Sequence, residues 1–496
     1  MKNDVIVIGA GIGGMNAAIQ LASKGYRVSI FEKNQYVGGK MRRIVHEQCT
    51  FDAGPSLITM PFILQNAIES LPGNRSLNDY LELIPIDPIC DYHWEDGTAY
   101  RCYADSDKRN EETARIFGEP AVDEMRDYLH HAGEVYKATK DVFLFNRFEG
   151  FKEFFKTKNL PLLPQLPSLK FTKIFHDFNA SYFTNPKLIQ LFDRFATYNG
   201  SSPYLAPATL MVIPFIEFEF GGWYPNGGIY SIAEAFHKIC NELNIPIHLG
   251  EDVQEILVKN NQAYGIRLQS GETIHTDNII ANGDVYHTRK QLLQKSNESI
   301  PPLSSSGFVI LIAMKENPFL QNHHTILFSN DHQREFEQIF SKGMESDDMT
   351  IYISASSITD SSQSLDGLQN WFVLVNTPAR EKDFVWSEEK KQSYAQSIIE
   401  RMKKFYPAMD TYISGEPLLI SPDDFSREFH ALGGSLYGSS SNSMFSAFLR
   451  PKNRDKNISN LYYCGGSAHP GGGVPLVILS GEFAAQEVLD NTKSFK

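Results

Sequence analysis

Three glycines, a carboxylate and a second glycine pair fall within the first forty residues at spacings that suit dinucleotide chemistry. Gly9, Gly11 and Gly14 form G-x-G-x-x-G. In that pattern the first glycine permits a tight turn, the second lets the backbone approach a pyrophosphate, and the third allows a helix to pack closely on a strand. Glu32 stands twenty-one residues after Gly11, where a carboxylate accepts hydrogen bonds from the ribose hydroxyls of an adenosine. Gly38-Gly39-Lys40 follows, and then "FDAGPS" with Asp52 and Gly54. Near the other end, glycines stand at 465, 466, 471, 472, 473 and 481, a density that makes sense if a flat group must approach the backbone. Side-chain chemistry is sparse by comparison. Between residues 284 and 450 there is no Ser/His/Asp order, no H-E-x-x-H and no His/Cys cluster, so neither a hydrolytic nor a metal centre is expected. The candidates for proton or cation work are His469 in "HPGGG", Tyr224 in "GGWYPNGG" and Glu217 in "IPFIEFEFGGW". The alternation in that last segment reads equally as an edge strand with one wet face. His323-His324 in "NHHTILFS" reads as the start of a strand, a structural pair.

These residues need particular elements to hold them. Val5–Ile8 is a continuous β-branched run, the mark of a strand buried on both faces of a parallel sheet. "MNAAIQLASKGY" carries Ala17, Ala18, Leu21 and Ala22 at helical spacing and is closed by Gly25, and "RVSIFE" is a second strand ending in Glu32. The chain then revisits this domain twice. Residues 221–243 read as a glycine-rich turn and a helix, followed by hairpin-like strands turning at "KNNQ" and "QSGE" and a buried strand "NIIANGD". "LYYC" is another strand, and after the glycine loop a last helix begins near Val474, its N-terminal amides favouring negative charge in front of them. The expected fold is α/β: a discontinuous Rossmann-type binding domain (1–71, 221–283 and 451–496) with an inserted α+β substrate domain. Residues 72–220 form a helical, membrane-associating part of it, and 284–450 its sheet, with "GFVILIAM", "MTIYISAS" and "NWFVLVNTP" as strands able to line a long cavity.

Bulk properties bound the rest. At 496 residues two or three domains are expected, and 42% hydrophobic with 21% charged content describes a folded chain. A formal net charge of −13 argues against nucleic acid as the partner. The five cysteines form no C-x-x-C pair and suit a reducing compartment. Nothing resembles a signal peptide, and no run of eighteen apolar residues would span a bilayer. Phe143–Phe183, however, holds eleven aromatics, and Arg147–Lys173 has six basic against two acidic residues. Aromatic and lysine side chains together suit the headgroup region of an anionic membrane. No second G-x-G-x-x-G follows a strand, so no nicotinamide domain is expected and the reducing equivalents must come from the substrate.

The extension from Glu32 through Lys40 to "FDAGPS" resembles the FAD fingerprint of the flavoproteins that include amine oxidases, protoporphyrinogen oxidase and carotenoid desaturases. Further, "GPSLITMP", "TYNGSSPYLAPATL", "GGWYPNGG", "SPDDFSREFHALGGSLYG", "FLRPKN" and "HPGGGVPLV" resemble the bacterial carotenoid desaturase/oxidase family from end to end. The resemblance implies FAD as cofactor, with Gly38 and Gly39 near the flavin side and Lys40 supporting the pyrophosphate. It also implies Val253 as the adenine contact and the loop through Gly466, Gly473 and Val474 beneath the flavin. Ser467 stands where many relatives carry an acidic residue that binds the ribityl chain. The implied substrate is an acyclic carotenoid drawn from a membrane lipid surface, by an enzyme peripherally attached to the cytoplasmic membrane, with oxygen or a quinone as electron acceptor. "GPSLITMP" and "NGSSPYLAPA" look closer to the oxidase branch, typified by diaponeurosporene oxidase, which converts a terminal methyl of a thirty-carbon polyene to an aldehyde. The alternative is a phytoene- or dehydrosqualene-type desaturase. A further alternative, an amine or protoporphyrinogen oxidase, would in the amine case need an aromatic cage beside the flavin.

Overall fold

β1 (Asp4–Ile8) lies at the centre of a five-stranded parallel sheet in the computed structural model, which describes residues 4–147, 170, 172–295, 298–315, 318–380, 385–443 and 450–493. The strand order is Leu461–Tyr463, Asn278–Ala281, β1, β2 (Arg27–Glu32), Ile247–Leu249. The sheet is thus assembled from three remote stretches of chain, all running the same way. On one face lie α1 (Ile12–Ala22), the helix Tyr230–Glu242 and the C-terminal helix Val474–Lys493, sharing one apolar core with Val5, Val7 and Ile30. On the other face the antiparallel strands Val253–Lys259, Gln262–Leu268 and Thr273–His275 bury Ile256 and Ile266 against Ile6, Phe31 and Ile279. Alternate residues of β1 therefore go to opposite cores, which is why the whole run is apolar.

The second sheet has seven strands, in the order Ile413–Ile420, Ser306–Met314, Gln369–Thr377, Ile351–Ser354, His324–Leu327, Cys90–His93, Ala99–Cys102. Ser306–Met314 is buried throughout. Phe308, Ile310 and Ile312 pack with Trp371 and Ile398 on one face, while Val309 and Leu311 pack with Phe51 and Phe372 on the other. Its pairing with Gln369–Thr377 is regular over nine residues.

A helical layer covers the outer strands of this sheet. Helices Glu119–Thr139, Phe175–Ala180 and Pro186–Asp193 bring Tyr128, Phe175, Phe178, Phe183 and Phe192 into one aromatic core with Tyr92 and Phe328. The aromatics described at the C-terminal end of the Phe143–Phe183 stretch are thus core residues. Positions 148–169 and 171, where the expected membrane contact is centred, lie outside the described residues. Among the described residues no helix is long and apolar enough to cross a membrane. The segment holding Glu217 is not an edge strand: Val212–Phe220 is a helix, ended by Gly221 at φ +71°.

Candidate functional site

The turn after β1 is built as its glycines require. Gly9 adopts φ +98°, and a Cβ on Gly14 would fall 2.3 Å from the Gly9 carbonyl oxygen. α1 begins at Gly11 with no side-chain cap and no acidic residue in its first turn, so its leading amides face forward, the arrangement that receives a phosphate anion. The loop at Gly38 closes against this turn: Gly38 N–H donates to the Ala10 carbonyl at 2.8 Å, and a Cβ on Gly39 would touch Gly11 Cα at 3.4 Å. Glu32, at the end of β2, is buried, and its carboxylate accepts Ala10 N–H at 2.8 Å and Asn34 N–H at 2.9 Å. Burial raises its pKa, and the two amides oppose that shift. Glu251 N–H donates to the Glu32 carbonyl at 2.9 Å, which brings the turn before the buried Val253 to the same strand end.

Asn282, which sequence reasoning passed over, ties the three visits together. Its amide nitrogen donates to the Gly9 carbonyl at 3.2 Å and its side-chain oxygen accepts from Cys464 Sγ at 3.3 Å. A Cβ on Gly11 would stand 2.7 Å from Asn282 Nδ2, so Gly11 is needed by the protein itself as well as by a close-lying ligand. Next to it, Asp284 caps Tyr286 N–H and His287 N–H at 2.9 and 3.0 Å. Asp284, Lys40 and Arg450 form a buried set of charges. Lys40 Nζ donates to the carbonyls of Ser435 and Leu436 at 3.1 and 2.7 Å, and Arg450 Nη1 to those of Tyr437 and Gly466 at 2.8 and 3.0 Å. Burial lowers Lys40 to about 8 and Arg450 to about 10, while Asp284 is pushed upward. Lys40 thus acts here as a strap between the first visit and residues 435–436. Arg42 is held by the Glu428 carboxylate.

A cavity of about 230 Å³ opens from this cradle. Its walls include Gly54–Leu57, Leu436, Tyr437, Gly473 and Val474 on the cradle side and Ile326, Tyr352, Phe372 and Leu374 from the large sheet. Gly473 has φ +103° and nothing within 4 Å of where a Cβ would be. Open space at Gly473, glycine-backed walls and two helix N-termini are features that suit a bound FAD. A larger groove of about 470 Å³ lies by Asp4, Tyr26 and Arg27, at the amino ends of β1 and β2, the end of a parallel sheet away from which ligands bind.

Of the three candidate catalytic residues, one lines the cavity. Glu217 is 1% exposed, accepts the Tyr198 phenol on Oε2, and has Arg194 Nη2 at 3.8 Å from Oε1. Burial raises its pKa, and Arg194 opposes the rise. Tyr224 is not on the wall: its phenol donates to Asp52 at 2.6 Å, and its ring meets His323 edge-on. His469 is not there either; Nε2 pairs with the Asn146 carbonyl at 2.9 Å and the ring stacks on Phe483. Burial holds it down at about 4, a neutral imidazole in a packing role. The pair does lead into a strand, which begins at His324, with the His323 ring 4.2 Å from that of His324. His324 lines the cavity, with Nδ1 paired to the Tyr352 hydroxyl at 2.8 Å. Arg194, Tyr198 and Tyr352 went unread because nothing local distinguishes them. Among the described residues no group of three His, Cys, Asp or Glu could hold a metal.

A three-visit parallel sheet with this glycine cradle defines an FAD-dependent oxidoreductase. The chain belongs to the flavin-containing amine oxidoreductase family, whose pattern matches residues 12–489. It is 34% identical over 494 residues to the 1-hydroxycarotenoid 3,4-desaturase of Flavobacterium sp., covering 99% of both chains. With the 4,4'-diapolycopene oxygenase of Methylomonas sp. it shares 29% over 495 residues, 98% of each. The fold is also that of an oxidoreductase from Methanosarcina mazei, with a TM-score of 0.63 at 16% identity over 98% of this chain and 100% of the other.

Proposed function

We propose that the enzyme dehydrogenates an acyclic carotenoid near one end of its chain. The observation that carries this is the cavity: it is largely apolar and abuts the cradle at Gly473 and Val474, while the full-length relative at 34% identity is named for desaturation at carbons 3 and 4. FAD would be held by Gly9, Gly11, Gly14, Glu32, Gly38, Gly39, Lys40 and Val253, and beneath its ring by Gly466, Gly473 and Val474. Glu32 supplies acceptors for the ribose, α1 supplies amides for the pyrophosphate, and Lys40 keeps the strap to residues 435–436 closed. Bound FAD supplies a two-electron acceptor for hydrogen removed from the substrate, with oxygen or a quinone as final oxidant. The protein's own task is positioning. An allylic C–H is activated because charge spreads over the polyene, so apolar walls that fix the chain contribute more than a strong base. Glu217 lines the wall, as Glu335 does, and is suited to face positive charge developing on that chain; Tyr224 and His469 support the scaffold.

A second reading, oxidation of a terminal methyl to an aldehyde, is favoured by the 29% identical oxygenases. It removes two hydrogens and adds one oxygen, so it needs an oxygen donor as well. The experiment is anaerobic mixing of FAD-loaded enzyme with micellar acyclic carotenoids, followed by mass analysis after adding an acceptor. Bleaching of the flavin with product two hydrogens lighter is expected. An aldehyde trapped by hydroxylamine identifies the second reading. No bleaching by any polyene, with peroxide formed from amines, would overturn both.

A further inference from the structure

We propose that Arg427–His430 and the segment Lys33–Arg42 form a clasp over the adenosine end of the cradle, whose opening admits and releases FAD. The proposal rests on the cofactor and not on the identity of the substrate. Residues 427–438 run along the cradle from one end to the other. Lys33, directly after Glu32, donates through Nζ to the Arg427 carbonyl at 2.8 Å. At the far end a Cβ on Gly472 would fall 2.6 Å from Tyr437 Cδ1, and one on Gly438 would fall 2.8 Å from Ser467 Cβ. Between these points His430 stacks on His287, with ring centroids 4.4 Å apart. The segment thus touches all three visits and covers the cradle between them.

Its two halves are held differently. The flavin half is tied to the start of the strand Ser306–Met314 and the residues before it. Leu436 N–H donates to the Ser305 carbonyl at 3.1 Å, Ser304 N–H to the Gly438 carbonyl at 2.8 Å and Ser306 Oγ to the Gly434 carbonyl at 2.6 Å. The buried Lys40 ammonium closes the same half through the carbonyls of residues 435 and 436. The adenosine half has no backbone ladder. Among the described residues, every hydrogen bond joining Lys33–Arg42 to Arg427–His430 runs through a side chain of the first segment. Asn34 Nδ2 reaches the Glu428 carbonyl at 3.4 Å, while Tyr36 and Arg42 donate to the two Glu428 carboxylate oxygens. The Arg42 and Glu428 side chains are 28% and 21% exposed, so this pair can part without uncovering an apolar core. His430, at φ +50°, ends the helix Pro422–Phe429 and marks the change from one half to the other. A cofactor whose adenosine lies at Glu32 therefore has one side that can yield, and Glu428 holds it shut with the strongest bonds present, those between charged groups.

The test follows FAD uptake and release by flavin fluorescence, with no substrate present. Glu428→Ala should raise both rates, each by about tenfold or more, since it removes two charge-assisted hydrogen bonds. Its Kd should change far less than either rate, because the clasp bars the path without touching the cofactor. Glu428→Gln, which keeps the shape of the side chain, should recover part of the effect. In the opposite direction, Arg42→Cys with Glu428→Cys, joined by a short bis-maleimide, should slow both uptake and release. The described native cysteines are all buried, so the linker addresses the introduced pair. Should that pair fail to accumulate, Tyr36→Phe with Lys33→Met loosens the clasp from the other segment and is read in the same way as Glu428→Ala. Unchanged rates in Glu428→Ala, faster release with unchanged uptake, or free exchange in the cross-linked protein overturn the clasp alone. Failure of the unaltered protein to take up FAD at all overturns the cofactor and the clasp with it.

Discussion

Glu335 shows how far a side chain's surroundings can move it from its sequence-level character. It is buried under the cavity, where its carboxylate accepts Thr350 N–H at 2.9 Å and the hydroxyls of Thr350 and Ser329 at 2.7 Å. Burial outweighs these donors and raises its pKa from 4.5 to about 7. Because the folded-state value lies above the unfolded one, the group's contribution is fully present below pH 4.5 and is lost as pH rises through about 7. The shift corresponds to about 3 kcal/mol. Thermal unfolding of the wild type and Glu335→Gln across this window should show the variant gaining, relative to wild type, by that order as pH rises. A difference constant from pH 4.5 to 8 would exclude the assignment. At this scale the legible residues are those whose role is backbone geometry or strand-end position: Gly9, Gly14 and Glu32 sit where spacing put them. His324 was not legible because a dipeptide does not say which member faces a cavity. Arg194 and Glu217 meet only because the chain folds them, 23 positions apart, onto two separate helices.

At the scale of elements, the tightest constraint joins the first helix to the last. A Cβ on Gly481 would come within 2.2 Å of the Gly13 carbonyl oxygen, and Asn16 Nδ2 donates to the Ile478 carbonyl at 2.8 Å, both buried inside the α1 contact with Val474–Lys493. Backbone cannot step aside as a flexible side chain can. Gly481→Val should therefore push the helices apart, costing about 1–3 kcal/mol by overpacking, and, because both helix N-termini face the cradle, it should also lower the FAD content of purified protein. Unchanged melting temperature and flavin content would show that the contact tolerates displacement. Elements with one clear period were legible: the β-branched run of β1, the hairpin strands at 253–268 and the buried strand Ser306–Met314. "FIEFEF" was not, since six residues fit either period. Its outcome is decided by Gly221 at φ +71° and by surroundings that bury Glu217 while leaving Glu219 exposed; a strand would have put both on one face. Pairing of Cys90–His93 with His324–Leu327 was equally out of reach, because no local pattern encodes a partner so distant in the chain.

For the whole molecule the question is how an acidic protein meets an apolar chain. A 230 Å³ cavity is smaller than usual for a drug-sized ligand, so on the proposed function it would admit only the end of a long polyene, and the remainder would need another apolar medium. The basic, aromatic stretch 147–173 is the candidate for contact with lipid. Arg147 is not available for that role, being paired with Glu487 and Asp490 at 3.1 and 2.7 Å. That leaves Lys152, Lys156, Lys158, Lys170 and Lys173. Next to the last of these, Ile174 and Leu205 are 39% and 46% exposed, an apolar spot joined by the bridge between Ile174 and Pro207. Lysines near an anionic surface contribute about 1 kcal/mol each, screened by salt. Replacing all five with Glu should therefore release the protein from anionic liposomes in a co-sedimentation assay, and added salt should release the wild type. The same variant should retain FAD and still turn over polyene presented in neutral micelles, because a docking surface governs delivery only, and the two described lysines, Lys170 and Lys173, do not line the cavity. Unchanged sedimentation would assign these lysines to solvent. Loss of micellar turnover together with release would mean that the stretch shapes the cavity itself, since a docking surface alone governs delivery and not the chemistry behind it.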